Sequence, residues 1–308
     1  MSDSLPPSID PSAAARWASL ASRATDAPWL HEEVAERMAE RLRYIRLPVD
    51  RWADWEPERG GLKGHALVAG QYPDAESFEV RARAVPEPQE AVTPKWWQRL
   101  GRSRQGPKTG VAPPEGVMQM VWANMLAHHA ADPARLLADW HRALAVNGFV
   151  MFSCLGPDTL RELRELYARL GWPPPTQDFT DMHDWGDLLV GAGFAEPVMD
   201  MERITLTFHT PERLLHELRG LGRNLHVARF PALRGRGWLT HLKAGLGEHL
   251  RMAASAEEGA GGLALSFEVI YGHALKPAPR LPVTAQTEFT LDDMKSALRE
   301  RKKPQRGH

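Results

Sequence analysis

The residues of this chain that could do chemistry fall in a few places. His128 and His129 follow the apolar run VMQMVWANM (117–125) and could look like a metal pair or a general base. Adjacent residues on a helix point apart, and no Asp, Glu or His set stands at ligand spacing nearby. The pair therefore reads as a helix-entry loop, and no metal site is expected. His183, within Asp181-Met182-His183-Asp184, reads as a helix-cap and lid-packing residue. Tyr271 and His273 point to one face of a strand, where a satisfied sheet face is the default. Cys154 is the only cysteine, which excludes an internal disulfide and a cysteine-rich metal site, and it packs as a small apolar residue. The sharpest local charge is basic: Arg213, Arg219, Arg223, Arg229, Arg234, Arg236 and Lys243 stand against Glu212 and Glu217. Such a stretch is either a solvated helical lid or a face that docks an acidic partner, with Arg219, Arg223 and Arg229 as the residues to test.

The elements that position these residues centre on residues 116–170. The run at 117–125 is too short for a core helix and reads as a buried strand. Asp132-Pro133 supplies an N-cap and a first-turn proline for a helix carrying Leu136, Leu137, Trp140 and Leu144. Asn147-Gly148 is expected to end that helix and turn the chain into a second apolar run, 149–155. A third element, starting at Asp158 or Thr159, continues as a helix to Leu170. Strand, crossover helix, strand and helix make half of a doubly wound α/β sheet, whose ligand sits in the loops at the carboxyl ends, here 124–129 and 153–157.

Upstream, residues 1–12 form a polar, Pro-rich tail with no reason to fold. Residues 31–44 are an amphipathic helix with Val34, Met38 and Leu42 on its stripe and a Glu33–Arg37 pair. A first strand is expected over 47–55, a loop over 56–61, a helix over 62–72 and a short strand over 76–80. Residues 82–115 are rich in proline, with basic residues and little periodicity beyond a possible turn at 96–100, and read as a mobile insertion. Downstream, a helix over 179–190, a long strand over 197–208, a helical lid over 211–257 and a strand over 263–275 suggest a terminal antiparallel hairpin carrying the lid. The folded domain is thus expected over 13–277, with a flexible tail at 278–308. A net charge of −1 gives no global electrostatic case for nucleic acid or membrane. Without a signal pattern or a membrane-length run, a cytoplasmic protein is expected.

Several runs together resemble a known family: HEEVAERMAERLRYIRL (31–47), MVWANMLAHHAADPARLLADWHRAL (120–144), GFVMFSCLGPDTLRELR (148–164), DMHDWGDLLVGAGFAEPVMDMERITLTF (181–208) and SFEVIYGHALKP (266–277). The order of elements resembles a class I S-adenosylmethionine-dependent methyltransferase. The runs narrow this to the malonyl-acyl-carrier-protein O-methyltransferases of biotin synthesis. The resemblance implies a Rossmann-like sheet, mostly parallel with a terminal antiparallel hairpin, and a helical lid inserted in that hairpin. It also implies S-adenosylmethionine as cofactor and an acyl-carrier protein as the acidic partner.

The departures from the family pattern concern the cofactor. An Asp-x-Gly-x-Gly-x-Gly loop is matched by Asp54-Trp-Glu56-Pro-Glu58-Arg-Gly60, so only Asp54 and Gly60 survive. Glu56 and Glu58 bring negative charge to a place built for the cofactor's carboxylate, and Pro57 removes an N–H donor. A side chain at a glycine position with φ > 0 costs on the order of 1–2 kcal/mol. The second strand, expected to end in a ribose-binding acid, ends in Arg81, which only donates. The third strand reads as absent, and an Asp of the fourth strand is replaced by Gln119. With Asn124 in the loop that follows, these are the degenerate cofactor positions. The expectation is a pseudo-methyltransferase with a partner or regulatory role, binding no cofactor. The alternative is an active carboxyl O-methyltransferase on malonyl-acyl-carrier protein, which needs no general base because its acceptor is already a carboxylate. A third possibility gives Arg81 and Arg83 the phosphate of another nucleotide.

Overall fold

The computed structural model describes residues 8–19, 27–81, 108–251 and 262–279. Helix α1 (Pro11–Ser19) precedes α2 (Trp29–Leu42), whose Leu30, Val34, Met38 and Leu42 are all buried on one stripe. The Glu33–Arg37 pair closes at 2.7 Å, and Arg37 also reaches Glu202 at 3.0 Å. Strand β1 (Arg51–Trp55) leads through a single helical turn, α3 (Pro57–Gly60), into α4 (Leu62–Gln71) and β2 (Glu76–Val80). Then follow β3 (Lys108–Gly110), β4 (Met118–Ala123), α5 (Pro133–Ala143), β5 (Leu144–Leu155), α6 (Arg161–Arg169), α7 (Met182–Gly191), β6 (Ala195–Phe208), α8 (Pro211–Leu221), α9 (Arg236–His249) and β7 (Leu263–Leu275).

The seven strands lie in the order β3-β2-β1-β4-β5-β7-β6. β1 to β5 pair in parallel, and β7 runs antiparallel between β5 and β6. This is the Rossmann-like class I methyltransferase sheet with its terminal hairpin. The register of the hairpin, Val198↔His273 through Phe208↔Leu263, makes the two long strands neighbours as expected. One apolar layer joins α2, α6, α8 and α9 to the sheet. The other packs α5 and α7 against the opposite face through Trp140 and Trp185, both beside Phe152 at ring distances of 5.5 and 5.7 Å.

Several expectations are corrected. A third strand exists: Lys108, Thr109 and Gly110 pair with Phe78, Glu79 and Val80 at the sheet edge. Its short, polar and partly exposed sequence has no apolar run to signal it. Residues 82–107 of the supposed insertion, with its turn at 96–100, lie outside the described residues, while 111–115 are described and link β3 to β4. Helix α5 stops at Ala143 rather than at Asn147-Gly148, which sit inside β5. Asn147 has φ 65°, and its N–H donates to the Lys276 carbonyl at 2.8 Å, so the dipeptide kinks a paired strand instead of closing a helix. The lid is two helices, α8 and α9, separated by residues 222–235, and 252–261 are outside the described residues. Of the expected tail, Ile9 bridges to His226 and Pro11 opens α1. The chain divides into a unit of residues 1–277 and a second of 278–308, of which only Ala278 and Pro279 are described. Among the described residues, no helix is long and apolar enough to cross a membrane.

Candidate functional site

At the carboxyl end of β1 the chain turns sharply, and Glu56 takes left-handed dihedrals, φ 55° and ψ 57°. That is the conformation a glycine adopts freely and a side chain adopts only at a cost on the order of 1 kcal/mol. Burial raises the Glu56 carboxyl pKa, and Arg59 sits 3.3 Å away. Glu58 reaches across to the end of β2, where the Arg81 guanidinium contacts it at 2.6 Å. The same guanidinium grips Glu79 through Nη2 at 2.6 Å and Nε at 3.2 Å. Glu79 is 8% exposed and stands opposite Asp54 in the β1–β2 register. Asp54 is buried, which raises its pKa to about 6, and it bonds His65 of α4 at 2.8 Å. Burial opposes the charged form of His65, but the Asp54 hydrogen bond wins and its pKa rises.

The amino end of α4 is the natural place for an anion, since its first N–H groups have no partner within the helix. Here Glu32 of α2 takes that place, its carboxylate accepting from the Lys63 N–H at 3.0 Å. Gly61, at φ 115°, makes room for it: a Cβ would lie 2.8 Å from the Glu32 carboxylate.

Asn124, after β4, ties three segments together. Its Nδ2 donates to the His31 carbonyl at 2.8 Å and to the Gly60 carbonyl, and its Oδ1 accepts from the Ser153 hydroxyl at 2.7 Å. Gly60 permits that approach, because a Cβ there would come within 2.8 Å of the Asn124 carbonyl oxygen. Gln119 is not brought to this site. It stands near the amino end of β4, and its Oε1 accepts from the Arg51 N–H at the start of β1, 2.8 Å away.

Beneath the lid lie three histidines. His31 Nδ1 donates to the Arg59 carbonyl at 2.7 Å, and burial lowers its pKa to about 4. His128 is buried and its pKa is pushed well down, first by burial and then by His129, whose ring lies 4.0 Å away. His129 is half-buried and lowered to about 3, with burial again the main cause. Above them runs the amino-terminal segment, where a helix is expected from about Ala13 and α1 begins at Pro11. Trp17 packs on His129 at 5.8 Å, and the Arg59 guanidinium lies 4.8 Å over its ring while donating to the Trp17 carbonyl at 2.8 Å. A cavity of about 120 Å³ opens between β5, β7 and α8, lined by His128, Leu155, Leu163, Thr176, Leu218 and Phe267 among others. Among the described residues no His, Cys, Asp and Glu group could hold a metal ion.

No family model matches the chain. The malonyl-[acyl-carrier protein] O-methyltransferase of Gallionella capsiferriformans is 37% identical over 258 residues, spanning 82% of this chain and 86% of that protein. Those of Laribacter hongkongensis and Nitrosospira multiformis are 36% and 34% identical, each over 82% of this chain and 84% and 85% of their own lengths. The chain belongs to the malonyl-[acyl-carrier protein] O-methyltransferase family.

As a member of that family it carries its lid arginines in varied settings. Arg229 pairs with Asp10 at 2.8 Å, and Arg223 donates to the Arg219 and Gly222 carbonyls and lies over Trp17 at 5.4 Å. These two hold the lid to the amino-terminal segment. Arg213 and Lys243 are paired with Glu217 and Glu212. Among the described residues, Arg219 and Arg236 have no side-chain partner. His183 does not pack under the lid but is exposed, while Asp181 caps α7 by accepting from the His183 and Asp184 N–H groups at 2.7 and 2.9 Å. Tyr271 donates to Glu202 with Arg41 over its ring at 3.9 Å, and Cys154 is fully buried, which raises its thiol pKa.

Proposed function

We propose that this chain is a member of the family that does not bind S-adenosylmethionine and serves as a partner or regulatory subunit that docks an acyl-carrier protein in the cytoplasm. The observation that carries this reading is Arg81, whose guanidinium bridges Glu58 and Glu79 where the family pattern expects a ribose-binding acid. Glu32 supports it as well, since the α4 N-terminus already holds a carboxylate at the place a cofactor's carboxylate would take. A second negative group there would meet the Glu32 carboxylate, and like charges at contact distance repel. These residues do not fit the cofactor. The Arg81 guanidinium is likewise engaged by two carboxylates rather than held open for a phosphate, and Arg83 lies outside the described residues.

The family names favour a second reading, an active carboxyl O-methyltransferase on malonyl-acyl-carrier protein. Calorimetric titration of the full chain with S-adenosylhomocysteine separates the two. No saturable heat is expected at ligand concentrations up to about 1 mM, a free-energy threshold of about −4 kcal/mol. Saturable binding at micromolar concentration would install the active reading.

The docking half of the proposal has its own test. Reversing Arg223 or Arg229 would disturb the lid itself, so Arg219→Glu is the informative variant. It should leave the melting temperature unchanged and weaken binding to an acidic carrier protein several-fold at low salt. That loss should shrink as salt rises, because the Debye length is only about 8 Å at 0.15 M. Carrier binding indifferent to both the variant and the salt would return the basic stretch to an ordinary solvated surface.

A further inference from the structure

One arginine between the two lid helices has aromatic neighbours but no hydrogen-bond partner. Arg234 is half-buried in the segment 222–235 that joins α8 to α9. Its guanidinium lies over Phe230 at 4.1 Å, Trp238 of α9 at 4.4 Å and Trp172 at 5.5 Å. Those rings are themselves braced, because Trp172 packs on Trp238 at 5.4 Å and edge-on to Tyr167 of α6 at 5.2 Å. Ring faces hold a cation in place and displace part of its water, but they leave its N–H donors unspent. Among the described residues, no carbonyl, carboxylate or hydroxyl accepts from Arg234, and its nitrogens keep access to solvent.

A cavity of about 200 Å³ opens here, lined by Tyr167, Pro174, Asn224, Arg229, Phe230 and Arg234 among others. The Tyr167 hydroxyl is also without a partner among the described residues and also keeps access to solvent. Burial raises its pKa while the Arg234 charge works against that rise, so the two groups lie within electrostatic reach. Asn224 is already used, donating to the Pro174 carbonyl at 2.7 Å and accepting from the His226 N–H at 2.9 Å. Arg229 gives Nη2 to Asp10 at 2.8 Å and Nη1 to the His226 carbonyl at 2.9 Å. Its charge is thereby balanced and its Nε–H is left over. Among the described residues no acidic side chain lines the cavity. The wall therefore carries one uncompensated positive charge and unspent donors on three side chains.

We propose that this cavity is a binding site for a phosphate group, held by the Arg234 guanidinium with the Tyr167 hydroxyl and Arg229 Nε–H as further donors. A carboxylate presents two oxygens, which one guanidinium fork already satisfies. Donors on three side chains, from α6 and from two points of the 222–235 segment, suit an oxyanion with more oxygens than that. A free phosphate ion and a phosphate monoester share this chemistry, and the probes below separate them. The site calls on neither the Arg81 cluster nor a carrier protein, so it and the proposed function can fail separately.

Phosphorus NMR line broadening of inorganic phosphate tests the site, with the full chain at neutral pH and constant ionic strength. Binding is expected at about millimolar strength, as a ligand of so few atoms allows. Arg234→Gln should weaken it at least about tenfold, because it removes the uncompensated charge. Tyr167→Phe, which keeps the ring against Trp172, should weaken it about fivefold. Acetate should displace phosphate only at several-fold higher concentration. Methyl phosphate then identifies the source: binding tighter than that of phosphate marks an ester, and weaker binding marks the free ion. The assignment is overturned by a phosphate line that stays sharp, or by acetate competing as well as phosphate. Broadening that survives unchanged in a folded Arg234→Gln protein overturns it too. Should that variant not fold, an unaffected Tyr167→Phe protein would overturn it instead.

Discussion

Acidification from pH 7 to about pH 4 should destabilise this protein by a net amount on the order of 3 kcal/mol. The cause is the set of buried neutral histidines beneath the lid. His31 titrates at 6.5 when unfolded and at about 4 when folded, a difference on the order of 3 kcal/mol. Between those values the unfolded chain binds a proton that the folded chain refuses, so stability falls as pH falls. His128 and His129 act in the same direction, both chiefly through burial, with His129 and His31 adding to the effect on His128 and His31 and Arg59 to that on His129. Asp54 acts oppositely. Its folded pKa is raised to about 6, so its protonated form is favoured in the folded state and stability rises as pH drops from 6 toward 3.8. His65, raised by its bond to Asp54, adds to that gain on the acid side. The Asp54 contribution is about the size of the His31 one, which leaves the His128–His129 pair to set the sign. For His129 alone the limit is about 4 kcal/mol, reduced by its partial exposure. Urea denaturation midpoints at pH 7 and pH 4.5 would measure the effect. His128→Asn, whose side-chain oxygen can still accept from the Leu155 N–H, should flatten the dependence. A midpoint that stays constant or rises on acidification would contradict the account.

The fold was readable because its signals are local and repeated. Apolar runs marked β4 and β5, the stripe of Val34, Met38 and Leu42 marked α2, and alternating character marked β7. What failed to show was set by tertiary contact. Lys108-Thr-Gly110 becomes a strand only because β2 offers it an edge. Asn147-Gly148 has turn chemistry, yet Lys276 pairs it into a strand. At the candidate site the sequence located Glu56, Glu58 and Arg81 by position in a pattern, but position could not show that Arg81 and Glu58 would meet. Nor could it find Glu32, which lies 31 residues before Lys63 and reaches it only through the packing of α2 on α4. Trp17 carried no signal, since a lone tryptophan in a short helix reads as core or surface alike.

The ion-pair cluster at β2 yields the second large effect: Arg81→Asp should cost on the order of 3 kcal/mol. The guanidinium holds Glu79 by two nitrogens and Glu58 by a third, and Glu79 has a side-chain exposure of only 11%. Removing one partner of a buried pair costs about 3–5 kcal/mol, and the 28% exposure of Arg81 places this case at the low end. An aspartate adds repulsion, because Glu58 and Glu79 would then face it. Arg81→Gln should therefore be less damaging than Arg81→Asp, and adding Glu79→Gln to either should recover part of the loss. Thermal denaturation of the four proteins orders them. An Arg81→Asp protein as stable as the native chain would show that the cluster is not a stabilising plug. The same variants bear on the cofactor. In the Arg81→Asp, Glu58→Gly, Glu79→Gln protein an acid stands at the end of β2 with its neighbours neutral, while Glu32 still covers the α4 N-terminus. S-adenosylhomocysteine binding should then emerge only weakly and strengthen when Glu32→Gln is added, since that change removes a full charge from the anion site. If the native chain binds no cofactor and the fourfold variant binds none either, the obstruction lies outside these four side chains.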